Sequence, residues 1–224
     1  GLARRLDRSA AVGLAAYSRA HAAAIGAGYE VMMLVAERAA DEMRPSLDTP
    51  EHDPDSHRVY GSLLLTASLG AATALRRERV DPYAAEAVEV ARRIGDAPRA
   101  GDPWQTYFGP SNAAIWQMTI AADIGNAGDV LAHAATVDLD VLDSRPRRAA
   151  YWTELGRGLA LMPGREDDAI EALLQAHSTS PARVATSRYV LGALDELLDR
   201  PLRRPSTRAK LALLARRLGH LTAA

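Results

Sequence analysis

The sequence predicts an all-α protein, and three observations lead to this fold class. Alanine, the strongest helix former, accounts for 45 of the 224 residues, whereas Phe occurs once. Val, Ile and Thr, which favour strands, dominate no segment of alternating pattern. Gly, Pro and Asn interrupt the sequence at intervals of helical length. We therefore expect one helical domain over 1–224, within which 1–100 and 101–224 could form sub-blocks.

Capping residues and prolines mark the starts of the helices. Asp81 followed by Pro82 fits an N-cap with proline at the first helical position, and Pro205 opens the last helix in the same way. Ser111 is predicted to cap the helix that follows the Pro-rich loop 96–111. The pattern predicts ten helices in five antiparallel pairs: an N-terminal helix up to about 25, then 29–43, 57–76, 82–95, 112–124, 127–136, 146–161, 165–177, 184–199 and 206–218.

The regular spacing of the helix pairs is typical of a tetratricopeptide-like array, a superhelical solenoid of about five pairs. The turn glycines Gly125 and Gly164 lie 39 residues apart, and the clearest repeat begins at Trp152. In this repeat both helices match the expected pattern, with one residue inserted at the turn between them. The matching residues are Trp152, Leu155, Gly156, Leu159, Ala169, Leu173, Ala176 and Pro181.

Composition excludes several classes of function. With 27 Lys and Arg against 28 Asp and Glu, the formal charge is −1, which argues against a dedicated nucleic-acid-binding domain within this chain. The lack of cysteine excludes disulfides, a thiolate zinc site and a cysteine nucleophile. No apolar run reaches the ~20 residues of a membrane span, and no leader pattern precedes the first predicted helix. We therefore expect a cytoplasmic protein that does not associate with membranes.

The sequence indicates no enzyme, no cofactor and no metal. The motifs GxGxxG, GxSxG and GxxxxGK[ST] do not occur. The loop EHDPDSH could pass for a metal site, but its His-x4-His spacing lacks the helical geometry that aims two imidazoles at one ion, so a mobile polar loop is favoured. A second acidic cluster lies in the first turns of a predicted helix, where negative charge complements the helix dipole. The loop residues are Glu51, His52, Asp53, Asp55 and His57; the second cluster is Glu166, Asp167, Asp168 and Glu171.

Several short motifs together resemble a known family. They are YFGPSNAAIWQM, IGNAGDVLAHAATVD, RPRRAAYWTELGRGLA and RRPSTRAKLALLARRLG. Over most of its length, and best from Tyr60 to Gly219, the chain is similar to the C-terminal tetratricopeptide-like region of actinobacterial phage-repressor-like (Xre-type) helix-turn-helix transcriptional regulators. The family motif has Thr where this chain has Ser111 and His where it has Trp116. A ligand held by that His would therefore meet an indole here.

The resemblance implies a function in regulation of transcription. It implies a DNA-binding helix-turn-helix domain that lies outside this chain, and a repeat region that senses an effector and forms a homodimer. Two alternatives remain, a protein–protein scaffold without a small effector and, less favoured, a helical enzyme. The sensor predicts an enclosed aromatic pocket, the scaffold an open charged groove, and the enzyme a set of converging titratable groups.

A cluster of aromatic residues provides the first candidate ligand site. Tyr107 and Phe108 end a Pro-rich loop, and Asn112 and Trp116 lie four residues apart on one face of the next predicted helix. The sequence predicts that these four residues border a pocket for a small-molecule or peptide effector, to which the Asn amide supplies a donor and an acceptor. The alternative is that the loop is anchored on the array and the aromatic rings belong to the core.

The inner face of the repeat array provides the second candidate site. In the clearest repeat, the residues beside the packing Trp that face the groove are Thr153, Glu154 and Arg157. Polar residues at these positions could hold an extended peptide or a partner's C-terminus. Tyr60 and Arg148 are weaker candidates of the same kind. The alternative is an ordinary solvated helix face.

Overall fold

The computed structural model of the chain describes residues 8–47, 54–96, 105–202 and 204–220. Within these ranges it contains eleven α-helices, a 3₁₀ turn at Arg77–Arg79 and no strand, which confirms the all-α class. None of the described helices is long and apolar enough to cross a membrane. The helices are α1 (Arg8–Gly26), α2 (Tyr29–Leu47), α3 (Pro54–Thr73), α4 (Val80–Ile94), α5 (Pro110–Asp123), α6 (Ala127–Ala134), α7 (Arg145–Ala160), α8 (Glu166–Thr179), α9 (Pro181–Ala185), α10 (Arg188–Leu198) and α11 (Pro205–Arg217).

The predicted helix over 184–199 is two helices, α9 and α10, so the prediction of ten helices was wrong. Helix α9 ends at Ala185, and the backbone of Ser187 is extended, with φ −81° and ψ 111°. The Ser187 hydroxyl accepts a hydrogen bond from the backbone N–H of Val190, which makes this serine the N-cap of α10. A cap therefore begins a new helix where apolar periodicity predicted a continuous one.

Two of the predicted caps have other positions in the structure. Gly109 is the N-cap of α5, and the hydroxyl of Ser111, one residue inside the helix, donates to a carboxylate oxygen of Asp96 at 2.8 Å. Helix α4 begins at Val80 directly after the 3₁₀ turn, so Asp81 lies inside its first turn. These two corrections each move a helix start by two residues and leave the order of the elements unchanged.

The helices pack as consecutive pairs. The first helices of successive pairs contact each other in the order α1, α3, α5, α7 and α10. The second helix of a pair contacts the first helix of the next pair, as α2 does with α3, α4 with α5 and α6 with α7. At the C-terminal end, α11 packs on both α8 and α10. The first helices therefore form one continuous layer, and this layer positions the candidate site.

The core consists of three apolar clusters that follow one another along the array. One cluster packs α1 to α4 together with Phe108 and Trp116, and another packs α7 to α11. Between them, α5, α6 and the start of α7 form the third cluster. Small residues permit the closest approaches: a Cβ on Gly70 of α3 would lie 2.8 Å from the backbone N of Met33 in α2. The backbones of α2 and α3 are in contact at this crossing, so neither can move away at low energetic cost.

Replacing Gly70 by Ala should destabilise the protein although Ala is the better helix former. The added methyl would also meet the carbonyl oxygen of Tyr29 at 2.9 Å, and we expect the free energy of unfolding to fall by about 1–3 kcal/mol. Gly192 in α10 is the matched control, because a Cβ there meets nothing within 4 Å. Gly192→Ala should raise the free energy of unfolding by about 0.5–1 kcal/mol. Urea unfolding of both variants tests this; equal effects would contradict the packing of α2 on α3.

Candidate functional site

One cavity of about 1270 Å³ lies against the layer of first helices. Helices α1, α5, α7 and α10 contribute to its lining, together with residues of α2, α3 and α9. Its walls combine two kinds of side chain. The ring-bearing residues are Tyr17, His21, Tyr29, Tyr107, Trp116 and Tyr189, and the charged residues are Asp143, Arg145, Arg147, Glu154, Arg183 and Arg188.

A row of stacked rings forms one wall. Tyr17 and His21, one turn apart on α1, lie edge to face with ring centroids 4.5 Å apart. The His21 ring lies 5.9 Å from the ring of Trp116 on α5. The His21 Nε2 atom is buried and has no hydrogen-bond partner among the described residues. Burial, and secondarily the charge of Arg147, lower the pKa of His21, so its imidazole is neutral at neutral pH.

Four arginines line the cavity, Arg145, Arg147, Arg183 and Arg188, and none pairs with a carboxylate within the described residues. Arg145 donates to the carbonyl of Thr179 and Arg188 to two tyrosine hydroxyls, so two guanidinium groups are left. Arg147 of α7 lies over the ring of Tyr107, 6.0 Å from the centroid, and Arg183 lies on α9. Neither guanidinium is within salt-bridge distance of an acid in the described parts of the chain. Arg183 is exposed to the cavity, and the protein around it, together with the like charge of Arg147, lowers its pKa. This side of the cavity therefore carries uncompensated positive charge.

Contacts between the first and last helix pairs close the wall of the cavity. The hydroxyls of Tyr29 on α2 and Tyr189 on α10 lie 3.3 Å apart. The guanidinium of Arg188 donates to both hydroxyls and lies over both rings, 5.3 Å and 4.8 Å from their centroids. These residues are 160 positions apart in sequence. Because they meet, both ends of the array contribute to one cavity, which is partly open to solvent.

A buried ion triad lies beside this closure, and its Glu154 forms part of the cavity floor. Arg157 of α7 contacts Asp123 of α5 and Glu154 of α7, each at 2.5 Å, and the three side chains are only 12%, 9% and 7% exposed. The ring of Tyr189 covers the guanidinium at 4.5 Å. Burial raises the pKa of Glu154 although Arg157 opposes the shift. Both carboxylates of the triad thus form their ion pairs with Arg157, and neither forms an ion pair with another arginine in the described residues, although the charge of Glu154 opposes the lowering of the pKa of Arg183.

Four of the residues predicted from sequence meet in this cavity. They are Tyr107, Trp116, Thr153 and Glu154, and Arg157 lies directly behind the floor. The two candidate sites are therefore one. The alternative of an ordinary solvated face is wrong for Thr153 and Glu154, which are 7% and 5% exposed.

Phe108, Asn112 and Tyr60 do not line the cavity. Phe108 is fully buried and its ring fills the space above Gly61, where a Cβ would come within 1.9 Å of it. Asn112 is buried, and its amide donates to the carbonyl of Thr106 at 3.4 Å. Tyr60 is buried between α3 and α4. For Phe108 and Asn112 the alternative interpretation, an anchored loop, describes the structure.

The other sequence candidates have local contacts. The hydroxyl of Tyr60 donates to Glu86 at 2.5 Å, and Arg148 donates to the carbonyl of Leu142 at 2.6 Å. Trp152 is half-buried and packs against the C-terminal core cluster.

In the described part of the chain, the acidic clusters do not have the arrangement of ligands that a metal site needs. No group of three or more His, Asp or Glu side chains there could hold an ion. Asp55 pairs with Arg58 at 2.7 Å, whereas Glu51, His52 and Asp53 lie outside the described residues. The acids at the start of α8 each have a basic partner: Glu166 with Arg200, Asp167 with Arg204, Asp168 with Arg165, and Glu171 with Lys210.

Sequence reasoning missed most of the residues that give the cavity its chemistry. Tyr17, His21, Arg147, Arg183 and Tyr189 belong to four separate helices and form no local motif. The one available signal is compositional, since 26 of the 27 basic residues are Arg and only Lys210 is Lys. Arg is the residue that pairs with planar anions and stacks on rings. That bias does not identify which arginines face a cavity.

Comparison with known proteins gives no assignment. No protein-family model matches the chain, and no curated protein or solved structure matches it either. The chemistry of the cavity must therefore carry the functional interpretation.

Removing Arg157 should be strongly destabilising at neutral pH, because Asp123 and Glu154 would remain buried without a cation. We expect Arg157→Met to lower the free energy of unfolding by about 3–5 kcal/mol. Arg165 is the control, since its pair with Asp168 at 2.6 Å is 43% and 56% exposed. Arg165→Met should cost less than about 1 kcal/mol. Urea unfolding at pH 7 gives both values.

The same variant should respond to acid in a defined direction. Without Arg157 the buried carboxyls bind a proton more readily in the folded state than in the unfolded state, where Asp and Glu titrate near pH 4. Lowering the pH from 7 to 5 should therefore reduce the gap in stability between Arg157→Met and wild type. A gap that is small at pH 7, or that widens toward pH 5, would contradict the buried triad.

Proposed function

We propose that this chain is the ligand-sensing domain of a cytoplasmic regulatory protein. The observation that carries the proposal is the cavity of about 1270 Å³, whose walls come from both ends of the chain. Ligand pockets are typically concave, lined by aromatic and apolar side chains, and supplied with a few convergent polar groups. Trp116, Tyr107 and His21 provide rings, while Arg147 and Arg183 provide the polar groups.

A tetratricopeptide-like array is the architecture that we propose for this domain. Consecutive pairs, first helices in one layer, and second helices packed on the following pair are the contacts that such an array requires. In the repeat at α7 and α8, a Cβ on Gly156 would lie 2.7 Å from Leu173, so a small residue stands where the paired helices approach most closely. The inner layer of first helices would then be the binding surface.

The cavity suggests how binding could be transmitted. A ligand that touches α1, α5, α7 and α10 at once favours the closed array, because opening the array would separate its contacts. The Tyr29–Arg188–Tyr189 contact is the part of the wall that must break on opening. In a homodimeric regulator of the kind that the sequence resembles, a change in curvature would alter the spacing of two attached DNA-binding domains.

The charges of the floor support binding and not catalysis. General acid–base catalysis uses titratable groups that converge on the substrate. Both acids of the triad, Asp123 and Glu154, hold Arg157, and Asp143 is the one other acid in the lining. We therefore propose a non-enzymatic function, with a small-molecule effector as the partner of the cavity.

A neutral fluorescent ring compound tests the binding function. N-phenyl-1-naphthylamine should bind wild type at one site per chain, with increased emission, because the cavity offers apolar rings. Trp116→Ala should weaken this binding by about tenfold, the loss expected for a stacked aromatic pair of about 1.5 kcal/mol. Because Trp116 also packs on the core, its loss can lower the folded fraction. Circular dichroism measures the folded fraction of each variant, and dye binding is compared per folded molecule.

Trp152→Ala is the matched control. Trp152 is half-buried in the C-terminal cluster and is not part of the cavity lining, so its loss should lower stability and leave dye binding unchanged. Dye binding at several sites, or binding that Trp116→Ala does not change, would contradict the proposed function.

A further inference from the structure

Resting on the ligand-sensing function proposed above, we propose that the effector is a small aromatic oxyanion. Its carboxylate or phosphate binds Arg147 and Arg183, and its ring lies against His21 and Trp116. The two arginines and the stacked rings line one cavity, and no acid in the described residues pairs with either arginine.

Arg147 and Arg183 carry like charges in one cavity, and like charges repel. The surrounding protein is the larger cause of the lowered pKa of Arg183, and the charge of Arg147 contributes to it. Most of the other arginines near the floor and the α8 start have carboxylate partners, such as Arg157 and Arg204. An oxyanion placed between Arg147 and Arg183 would remove the repulsion and accept charge-assisted hydrogen bonds, frequently two from one guanidinium.

The protein's own acids do not pair with Arg147 or Arg183. Glu154 lines the cavity, but it and Asp123 are held by Arg157 at 2.5 Å. Asp143 is the other acid in the lining; it is exposed and forms no ion pair within the described residues. The positive charge of Arg147 and Arg183 is therefore left for a ligand.

The ring of the ligand lies against His21 and Trp116. His21 and Trp116 lie 5.9 Å apart between ring centroids, and Tyr107 lies under Arg147. The charge of Arg147 reaches His21, so the ring wall and the anion site are neighbours.

The shape of the cavity favours a small molecule over an extended peptide. A peptide that runs along a helical array needs a groove open at both ends. Here the contact of Tyr29 with Tyr189 joins the first pair to the last and obstructs that path at one end. The cavity volume of about 1270 Å³ is somewhat above the usual range of drug-sized ligand pockets, about 300–1,000 Å³.

Two dyes with the same ring system separate the anion from the ring. The probe is 8-anilinonaphthalene-1-sulfonate, and N-phenyl-1-naphthylamine is its neutral counterpart without the sulfonate. Fluorescence titrations should show that wild type binds the anionic dye at one site, at least about tenfold more tightly than the neutral dye. Raising the salt concentration should narrow this difference, because partly exposed charges are screened.

Variants of the two arginines complete the test. The double variant Arg147→Met/Arg183→Met should bind the anionic dye at least about tenfold more weakly than wild type and should bind the neutral dye within about twofold. Unchanged binding of the neutral dye also shows that the cavity is folded. The control is Arg38→Met on the outer surface, where Arg38 is 84% exposed and pairs with Glu42; it should change neither affinity.

Competition identifies the oxyanion. Displacement of the anionic dye by 1-naphthoate or by 1-naphthyl phosphate, but not by neutral 1-naphthalenemethanol, supports the proposal and assigns a carboxylate or a phosphate. Equal affinity of wild type for both dyes, or no loss in the double variant, overturns the oxyanion proposal and leaves the ligand cavity in place. Failure of both dyes to bind at a single site overturns the ligand-sensing function itself.

Discussion

Arg157 joins two neighbouring helix pairs, because its guanidinium lies between Asp123 of α5 and Glu154 of α7 in a nearly water-free site. Breaking such a pair leaves an uncompensated buried charge, which costs far more than losing a surface pair. Tyr189 covers the guanidinium from α10, so the same group also fixes the last helix pair. The packing of α5, α7 and α10 beside the cavity depends on this one cation.

The triad also decides the charge of the cavity. Because Arg157 holds Asp123 and Glu154, neither acid forms an ion pair with Arg147 or Arg183, although the charge of Glu154 reaches Arg183. A chain with a formal charge of −1 thus contains a locally positive cavity. Neutral overall composition argued against nucleic-acid binding, but it carried no information about this local charge. Local segregation of charge is what gives an effector site its selectivity.

How much the sequence predicts depends on the range of the interaction. Local rules placed Pro205 at the start of α11 and left-handed Gly125 after α5, because caps and turns involve residues close in sequence. They failed at Ser187, where a cap broke a periodic apolar segment. At the site, Trp116 lines the cavity and Phe108 fills the core, although both belong to one aromatic cluster. Their separation, like the meeting of Tyr29 with Tyr189, depends on packing between distant helices.

Arg157 is held by two carboxylates of the protein, whereas Arg147 and Arg183 have no ion-pair partner in the described residues. Side-chain ¹H–¹⁵N spectra of arginine test this difference directly, with signals assigned through single Arg→Lys variants. The account predicts slow rotation and separate Nη signals for Arg157, held by Asp123 and Glu154, and averaged Nη signals for Arg147 and Arg183. An averaged Arg157, or rigid signals from Arg147 and Arg183 in the protein without ligand, would contradict it.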